Sequence, residues 1–207
     1  MTPPSLFLKG LRRAPDQLLH PLRRRRALAA LRTRPTPVAV LVVCHGNICR
    51  SPFAAALLRR SLSQNAVWVD SAGFIGPGRP SPAEAVAAAA SYRVDLSTHR
   101  SDLLTADRAH AADLIVVMDP AQRREICDRF GRTVRDVLVL GDLDPQAIDT
   151  RTIRDPVNRP RAVFEEAYAR IERCVRALER AIGHLGAAAP RRPSEHPRAA
   201  DDLCGGL

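Results

Sequence analysis

Two periods of apolar residues run along the chain, and together they predict strands that alternate with helices. Apolar runs rich in β-branched residues are typical of strands buried on both faces of a sheet. Such runs predict strands at 38–43, 66–70, 114–118 and 137–140. Apolar residues at helical spacing predict helices after these strands. The helices are predicted from Ser51-Pro52 onward, from Ser81 to about Tyr92, from Pro120 to near Gly131, and from about Pro160 to Ile182.

Two of the helix starts carry capping patterns. Ser81-Pro82-Ala83-Glu84 has the spacing of a capping box. Asp119-Pro120 fits an N-cap followed by proline at the first helical position. Strands alternating with helices indicate a layered α/β fold with a parallel sheet, in which ligands bind beyond the carboxyl ends of the strands. The segment 44–50 follows the first predicted strand and occupies that place.

Charge and composition divide the chain into three parts, namely a basic N-terminal extension at 1–36, a single domain at 37–185 and a tail at 186–207. The 207 residues are 45% hydrophobic, which is enough for one sizeable core. Of the net charge of +10, residues 1–36 carry +8 and the remainder carries +2. Nucleic-acid-binding domains usually carry their basic stripe on the fold itself, so we expect no nucleic-acid partner. The tail is rich in Ala, Pro, Arg and Gly without any period and is predicted to be disordered.

The extension at 1–36 has two interpretations. Its leucines interleave with arginines, which favours a basic amphipathic helix in weak contact with an anionic membrane surface. The alternative is a poorly ordered extension. The longest apolar run, 38–43, is far shorter than the roughly 18 residues of a membrane-spanning helix. The five cysteines do not follow a disulfide-framework spacing, so we expect a reducing, cytoplasmic setting.

The segment CHGNICRSP, residues 44–52, carries the candidate chemistry. Backbone N–H groups and the helix dipole favour an anion between a strand end and a helix start, and the same environment favours the thiolate of Cys44. Arg50 offers a planar fork to two phosphate oxygens. Gly46 and Asn47 suit the positive φ angles of a tight anion-binding turn. The alternatives are a structural cysteine beside a solvated arginine, or a zinc site of Cys44, His45 and Cys49, for which no complementary ligand pair is present in the sequence.

These residues closely resemble the phosphate-binding loop of low-molecular-weight protein tyrosine phosphatases of the bacterial type. The resemblance continues through most of residues 37–182. Further matching segments, in the family's order, are Trp68–Gly73, Asp95–Arg100, Val117–Asp119 and Asp155-Pro156. The resemblance implies a four-stranded parallel sheet with helices on both faces, no metal or organic cofactor, and hydrolysis of phosphotyrosine esters through a phosphocysteine intermediate. It also implies a phosphotyrosine-containing protein as partner, with a bacterial tyrosine kinase as one candidate.

The resemblance also assigns roles to individual residues. Cys44 matches the nucleophile, Arg50 the phosphate-binding arginine and Asp155 the general acid. His45, Gly46, Asn47, Ile48 and Cys49 complete the phosphate-binding loop. Ser51 is expected to hydrogen-bond the Cys44 sulfur, while Asn47, Ser71 and His99 match the network that holds the loop in shape. Without the resemblance, Ser71 would simply end a strand, His99 would be a surface histidine and Asn47 a turn residue.

The resemblance leaves two alternatives to a phosphotyrosine substrate. The first is a protein-arginine phosphatase. Val157 and Asn158 stand where many relatives have aromatic residues after the Asp-Pro pair. Ile48 resembles tyrosine-specific members, whereas related protein-arginine phosphatases usually have threonine at that position. The second alternative is an arsenate reductase on the same fold, but its relay needs two further neighbouring cysteines, and Cys127 stands alone downstream of the loop.

Two more hypotheses concern pairs of identical groups. Cys49 lies five positions after Cys44 in one tight loop, so the two sulfurs are candidates for a reversible disulfide after Cys44 is oxidised. The alternative is that Cys49 is a small apolar loop residue. Asp119 and Asp155 both precede proline. Asp119 has a structural reason as an N-cap, so Asp155 is the better candidate for the acid.

Overall fold

Four parallel strands form the centre of the structure, a computed structural model that describes residues 5–33, 35, 39–62 and 67–183 of the chain. The strands are β1 (Ala39–Cys44), β2 (Trp68–Gly73), β3 (Leu114–Val117) and β4 (Val137–Val139). Their order in the sheet is β2-β1-β3-β4. Leu41 of β1 lies opposite Asp70 on one side and Ile115 on the other. The predicted parallel sheet is confirmed, and β1 is central, as its uninterrupted apolar run requires.

Helices cover both faces of the sheet, which confirms the three-layer α/β prediction. They are α1 (Ser5–Thr33), α2 (Arg50–Ser61), α3 (Ala83–Ala90), α4 (Ala106–Ala111), α5 (Pro120–Phe130) and α6 (Arg161–Gly183), with a 3₁₀ turn at Leu140–Leu143. Alternate residues of β1 point to opposite faces, so Val42 joins the core beneath α2, α3 and α6, whereas Val43 joins the core beneath α4 and α5. Both valines are fully buried.

The helix ends agree with the sequence at α5 and differ at α3. The carboxylate of Asp119 accepts a hydrogen bond from the Gln122 N–H, and Gly131 ends α5 in the left-handed conformation, as predicted. The capping box at Ser81 is wrong. Pro82 is the N-cap residue of α3 and no side chain caps the helix, while the Ser81 hydroxyl is buried without a partner among the described residues. Proline at the cap position places the serine one residue too early in the chain to reach the helix.

Helix α1 packs on the domain through its inner face. Leu31 is buried in the first core, and Leu28 packs against that core from its edge. The helix contacts the 3₁₀ turn and α6. No helix in the described part of the chain is long and apolar enough to cross a membrane. Residues 1–4 of the extension and the tail at 186–207 lie outside the described residues.

Candidate active site

The phosphate-binding loop joins the carboxyl end of β1 to the amino end of α2. Cys44 is the last residue of β1, and Arg50 is the first residue of α2. Cys49 is the N-cap of α2, but no side-chain hydrogen bond caps the helix, and its first turn holds no acidic residue. The N–H groups and the positive end of the helix dipole therefore face the loop without a carboxylate from the helix's own first turn to neutralise them. This is the electrostatic setting of an anion site.

A series of hydrogen bonds leads from Asn47 through Ser51 to the sulfur of Cys44. The side-chain N–H₂ of Asn47 donates to the Ser51 hydroxyl oxygen at 2.9 Å, and that oxygen lies 3.0 Å from the Cys44 sulfur. The side-chain oxygen of Asn47 accepts the backbone N–H of Asp102 at 2.8 Å, which fixes the orientation of the amide. Because the amide donates to Ser51, the Ser51 proton is left for the Cys44 sulfur or for the Ala72 carbonyl at 3.5 Å, and the sulfur is the nearer of the two acceptors. A thiolate is a stronger acceptor for this proton than a thiol.

The backbone at Asn47 is held from two sides. Its φ angle is +50°, as predicted, and its carbonyl accepts a 2.7 Å hydrogen bond from the His99 ring. Gly73, at the end of β2, lies so close to the loop that a Cβ there would come within 2.8 Å of the Asn47 nitrogen. The positive φ expected at Gly46 is wrong. A Cβ at Gly46 would instead meet the Arg79 guanidinium at 3.0 Å, so a larger residue there would require that side chain to shift.

Arg50 connects the loop to the segment that precedes α6. Its side chain is 4% exposed, donates to the carbonyl of Ile153 at 3.0 Å and forms an ion pair with the Asp155 carboxylate. The Asp155 side chain is 44% exposed. Arg50 Nε is buried and has no hydrogen-bond partner among the described residues. The fold therefore brings three of the predicted site residues together, namely Cys44, Arg50 and Asp155.

Cys49 is buried behind the loop, against α6. Its carbonyl accepts a hydrogen bond from the Tyr168 hydroxyl at 3.2 Å, and the Tyr168 ring stacks on Phe53 with centroids 3.9 Å apart. Burial, followed by the nearby charge of Cys44, raises the pKa of the Cys49 thiol well above its ordinary value. Cys49 is therefore a neutral thiol in the same loop as Cys44.

The remaining predicted residues occupy more peripheral places. His45 is exposed, and its carbonyl accepts the Phe74 N–H at 2.9 Å. Ile48 is half-buried and packs against the first core. Ser71 is buried opposite Val42 in the sheet, but the described residues offer its hydroxyl no hydrogen bond. The structure thus does not bring the Ser71 hydroxyl into the network around Asn47.

Arg79 is a site residue that the sequence analysis missed. Its guanidinium donates to the carbonyls of Gly46 at 2.8 Å, Ile75 at 3.1 Å and Gly76 at 3.2 Å. These bonds tie the glycine- and proline-rich loop after β2 to the phosphate-binding loop. An arginine in such a loop forms no periodic or motif pattern, so only the folded chain reveals the contact.

The described residues hold no group of three or more His, Cys, Asp or Glu side chains that could bind a metal ion. Cys44 and Cys49 lie in the loop, whereas Cys127 is half-buried on α5 and Cys174 is buried on α6. All four are free thiols. Cys204 lies outside the described residues.

Comparison with known proteins identifies the family of the chain. The family model of the low molecular weight phosphotyrosine protein phosphatases matches residues 39–187. The chain is 44% identical over 147 residues to the probable low molecular weight protein-tyrosine-phosphatase EpsP of Ralstonia solanacearum, a match that covers 71% of this chain and 97% of that protein.

Two solved structures share the fold. The tyrosine phosphatase amsI of Erwinia amylovora is 31% identical with a TM-score of 0.63, and the match covers 70% of this chain and 93% of that one. The YwlE arginine phosphatase of Geobacillus stearothermophilus is 27% identical with a TM-score of 0.63 and the same coverage of 70% and 93%.

A strand–loop–helix anion site that presents a cysteine and an arginine six residues apart defines a cysteine-dependent phosphatase. The chain belongs to the low molecular weight phosphotyrosine protein phosphatase family and is accordingly a protein-tyrosine phosphatase, a hydrolase of phosphoric monoesters.

Proposed function

We propose that the chain hydrolyses phosphotyrosine through a phosphocysteine intermediate on Cys44. The observation that carries this proposal is the hydrogen-bond series from Asn47 through Ser51 to the Cys44 sulfur, at the uncapped start of α2. A thiolate is the reactive form of cysteine, and this arrangement stabilises the thiolate without a neighbouring base.

Arg50 and the first turn of α2 hold the phosphoryl group. The side chain of Arg50 is nearly fully buried, and its Nε has no partner among the described residues. Leaving a buried guanidinium N–H unpaired is costly, and a phosphoryl oxygen is an acceptor of the right charge to pair with it. The thiolate of Cys44 attacks phosphorus as the bond to the tyrosine oxygen breaks.

Asp155 is the general acid of this mechanism. Its carboxyl group donates a proton to the departing phenolate oxygen, and the resulting carboxylate takes a proton from the water that cleaves the phosphorus–sulfur bond. The ion pair with Arg50 supports this role, since it places the carboxyl beside the residue that holds the phosphoryl group. Asp119 is occupied as the N-cap of α5.

The preferred substrate is an aryl phosphate. Ile48 is half-buried in the loop and presents an apolar side chain, and Val157 packs against the first core. The similarity to a YwlE arginine phosphatase keeps phosphoarginine as the second candidate substrate. Arsenate reduction is less well supported, because Cys127 and Cys174 lie on α5 and α6, whose helices bracket opposite faces of the sheet.

One panel of reactions tests the proposal. A single preparation is assayed with phosphotyrosine, phosphoserine and phosphoarginine peptides, and with arsenate plus a thiol donor. We expect turnover of phosphotyrosine that vanadate inhibits, that chelators leave unchanged and that Cys44→Ser abolishes. Turnover of phosphoarginine faster than that of phosphotyrosine would make the chain a protein-arginine phosphatase. Thiol-dependent reduction of arsenate would make it an arsenate reductase.

The natural partner, in this proposal, is a tyrosine-phosphorylated protein of the cytoplasm, with a bacterial tyrosine kinase as the first candidate. The four free cysteines support a reducing compartment, where disulfides rarely persist. The test is dephosphorylation of the intact, autophosphorylated kinase, with the Cys44→Ser variant as the control.

We also propose that the outer face of α1 makes weak contact with anionic membrane surfaces. Leu18 is 80% exposed, Leu19 and Leu22 are also exposed, and no described residue forms an ion pair with Arg25 or Arg26. Exposed leucines flanked by arginines suit the boundary of an anionic bilayer. We expect binding to vesicles containing phosphatidylglycerol that weakens with salt and is reduced by Leu18→Ser with Leu22→Ser. Absent or salt-insensitive binding would contradict the proposal.

A further inference from the structure

Helix α1 lies outside the residues that the family model matches, yet it is joined to the segment that carries the acid. The match to the family model begins at residue 39, and the match to EpsP covers 97% of that relative. Helix α1 is therefore an addition to the domain that this relative shares. Its inner face packs on residues 143–151, which lead directly to Asp155.

Four polar contacts hold this segment to α1, and each uses a different residue of the helix. The buried ring of His20 is 2.9 Å from the Asp144 carbonyl, and Gln17 donates to the Asp149 carboxylate at 2.5 Å. The other two are the Asp16 carboxylate with the Arg151 N–H at 3.3 Å and Arg24 with the Leu143 carbonyl at 3.3 Å.

The opposite side of the same segment is held by α6. Arg170 donates to the carbonyls of Thr150 at 2.7 Å and Thr152 at 2.9 Å, and it pairs with the buried carboxylate of Asp144. The next residue, Ile153, accepts the hydrogen bond from Arg50. The segment is thus clamped between α1 and α6, and its end contacts the phosphate-binding arginine.

We infer that α1 positions Asp155 by fixing the segment 143–151 against α6, so that the carboxyl stays within reach of the leaving-group oxygen. This inference rests on the proposed role of Asp155 as the acid. The segment begins at the last residue of the 3₁₀ turn and contains no helix or strand of its own, so its conformation depends on contacts from outside. A displacement of about 1 Å at a reacting group can reduce a rate by about 10²-fold.

A purely stabilising helix would behave differently from a positioning helix. Loss of stability alone lowers the amount of active enzyme and reduces turnover of every substrate in proportion. Loss of positioning impairs proton donation, which matters most when the leaving group is poor. The ratio of kcat for a phosphotyrosine peptide to kcat for an activated aryl phosphate separates the two cases.

The first variant is His20→Leu, which keeps an apolar volume but removes the donor to Asp144. We expect kcat for the phosphotyrosine peptide to fall about tenfold, a partial loss of the general-acid effect, with KM and turnover of the activated ester nearly unchanged. Ala30→Ser, at an exposed position of the same helix, is the matched control and should leave both rates unchanged. An equal fall for both substrates, or no fall in folded protein, would overturn the inference.

A second pair of variants uses an exposed contact and does not endanger folding. Gln17→Glu places a carboxylate against the Asp149 carboxylate, and Asp149→Asn in the same chain restores a donor–acceptor pair. We expect Gln17→Glu to lower the kcat ratio and the double variant to restore it. Lack of rescue contradicts the positioning role.

Asp155→Asn distinguishes failure of this inference from failure of the proposed mechanism. If Asp155 is the acid, His20→Leu added to Asp155→Asn lowers kcat for phosphotyrosine no further. If Asp155→Asn itself leaves the kcat ratio unchanged, the acid assignment fails. If it changes the ratio but the α1 variants do not, only the inference about α1 fails.

Discussion

Replacing Asn47 by aspartate reverses one hydrogen bond in the phosphate-binding loop while keeping the size of the side chain. One carboxylate oxygen still accepts the N–H of Asp102. The other oxygen takes the place of the amide N–H₂ that lies 2.9 Å from the Ser51 hydroxyl oxygen. Two oxygens at that distance need a proton between them, so Ser51 donates to the new carboxylate instead of the Cys44 sulfur.

The size of the effect follows from the bond that the thiolate loses. A hydrogen bond to a charged group contributes about 1.5–3 kcal/mol. Since about 1.4 kcal/mol corresponds to a factor of ten, alkylation of Cys44 at neutral pH should slow by about ten- to a hundredfold. The rate falls because the thiolate is the form that is alkylated, and both the loss of a donor and the added negative charge disfavour that form.

The assay is the rate of alkylation of Cys44 by iodoacetamide at one neutral pH, with the modified peptide identified by mass spectrometry. Asn47→Gly is the matched control. Glycine tolerates the φ of +50° at this position and leaves Ser51 free to donate to the sulfur. We therefore expect a much smaller fall of the alkylation rate for Asn47→Gly than for Asn47→Asp. Equal falls, or no fall for Asn47→Asp, would refute the proton arrangement.

Three further predictions concern groups around the loop. Asp155→Asn should lower kcat for phosphotyrosine by about 10²–10⁴-fold and affect an activated aryl ester much less, because a general acid matters most for a poor leaving group. Asp119→Asn should lower stability by roughly 1 kcal/mol or less and leave that leaving-group dependence unchanged, since asparagine also caps helices. Steady-state kinetics measures both variants. If Asp119→Asn changes the leaving-group dependence and Asp155→Asn does not, Asp119 is the acid and the assignment of Asp155 is wrong. Cys49→Ser should convert reversible inactivation by peroxide into permanent loss, measured as activity recovered in reductant; equal recovery contradicts a disulfide switch. Arg79→Met removes three hydrogen bonds to backbone carbonyls and should lower the free energy of unfolding by about 1–3 kcal/mol in urea titration. An unchanged unfolding midpoint would show that these bonds contribute nothing to stability.

The parts of the fold that could be predicted depend on local patterns. The β1 run is apolar because the strand is buried on both faces, and Asp119 and Gly131 mark the ends of α5 by their own backbone requirements. The loop at 44–50 was predictable for the same reason, since the strand end, the motif and the helix start are adjacent in the sequence. Asn47 was correctly expected at positive φ from its residue type.

Contacts between distant residues could not be predicted from such patterns. The amide of Asn47 is oriented by Asp102, 55 positions later, and the Gly46 carbonyl is held by Arg79 from a loop without periodicity. The close approach of the Arg79 guanidinium to Gly46 is a contact that no local rule supplies. The docking of α1 on residues 143–151 depends on contacts more than 100 positions apart, such as that of His20 with Asp144.

The central claim is that the phosphoryl group passes through Cys44, and the most direct measurement is the mass of the intermediate. The Asp155→Ala variant is mixed with an activated aryl phosphate, whose phenolate departs without an acid, then quenched in acid within the first turnover, digested and analysed by mass spectrometry. Without the carboxylate that activates water, the intermediate should accumulate, and the mass of one phosphoryl group should appear on the peptide that carries Cys44. A phosphoryl group on another residue, or release of the phenol in a burst with unmodified Cys44, would contradict passage of the phosphoryl group through Cys44.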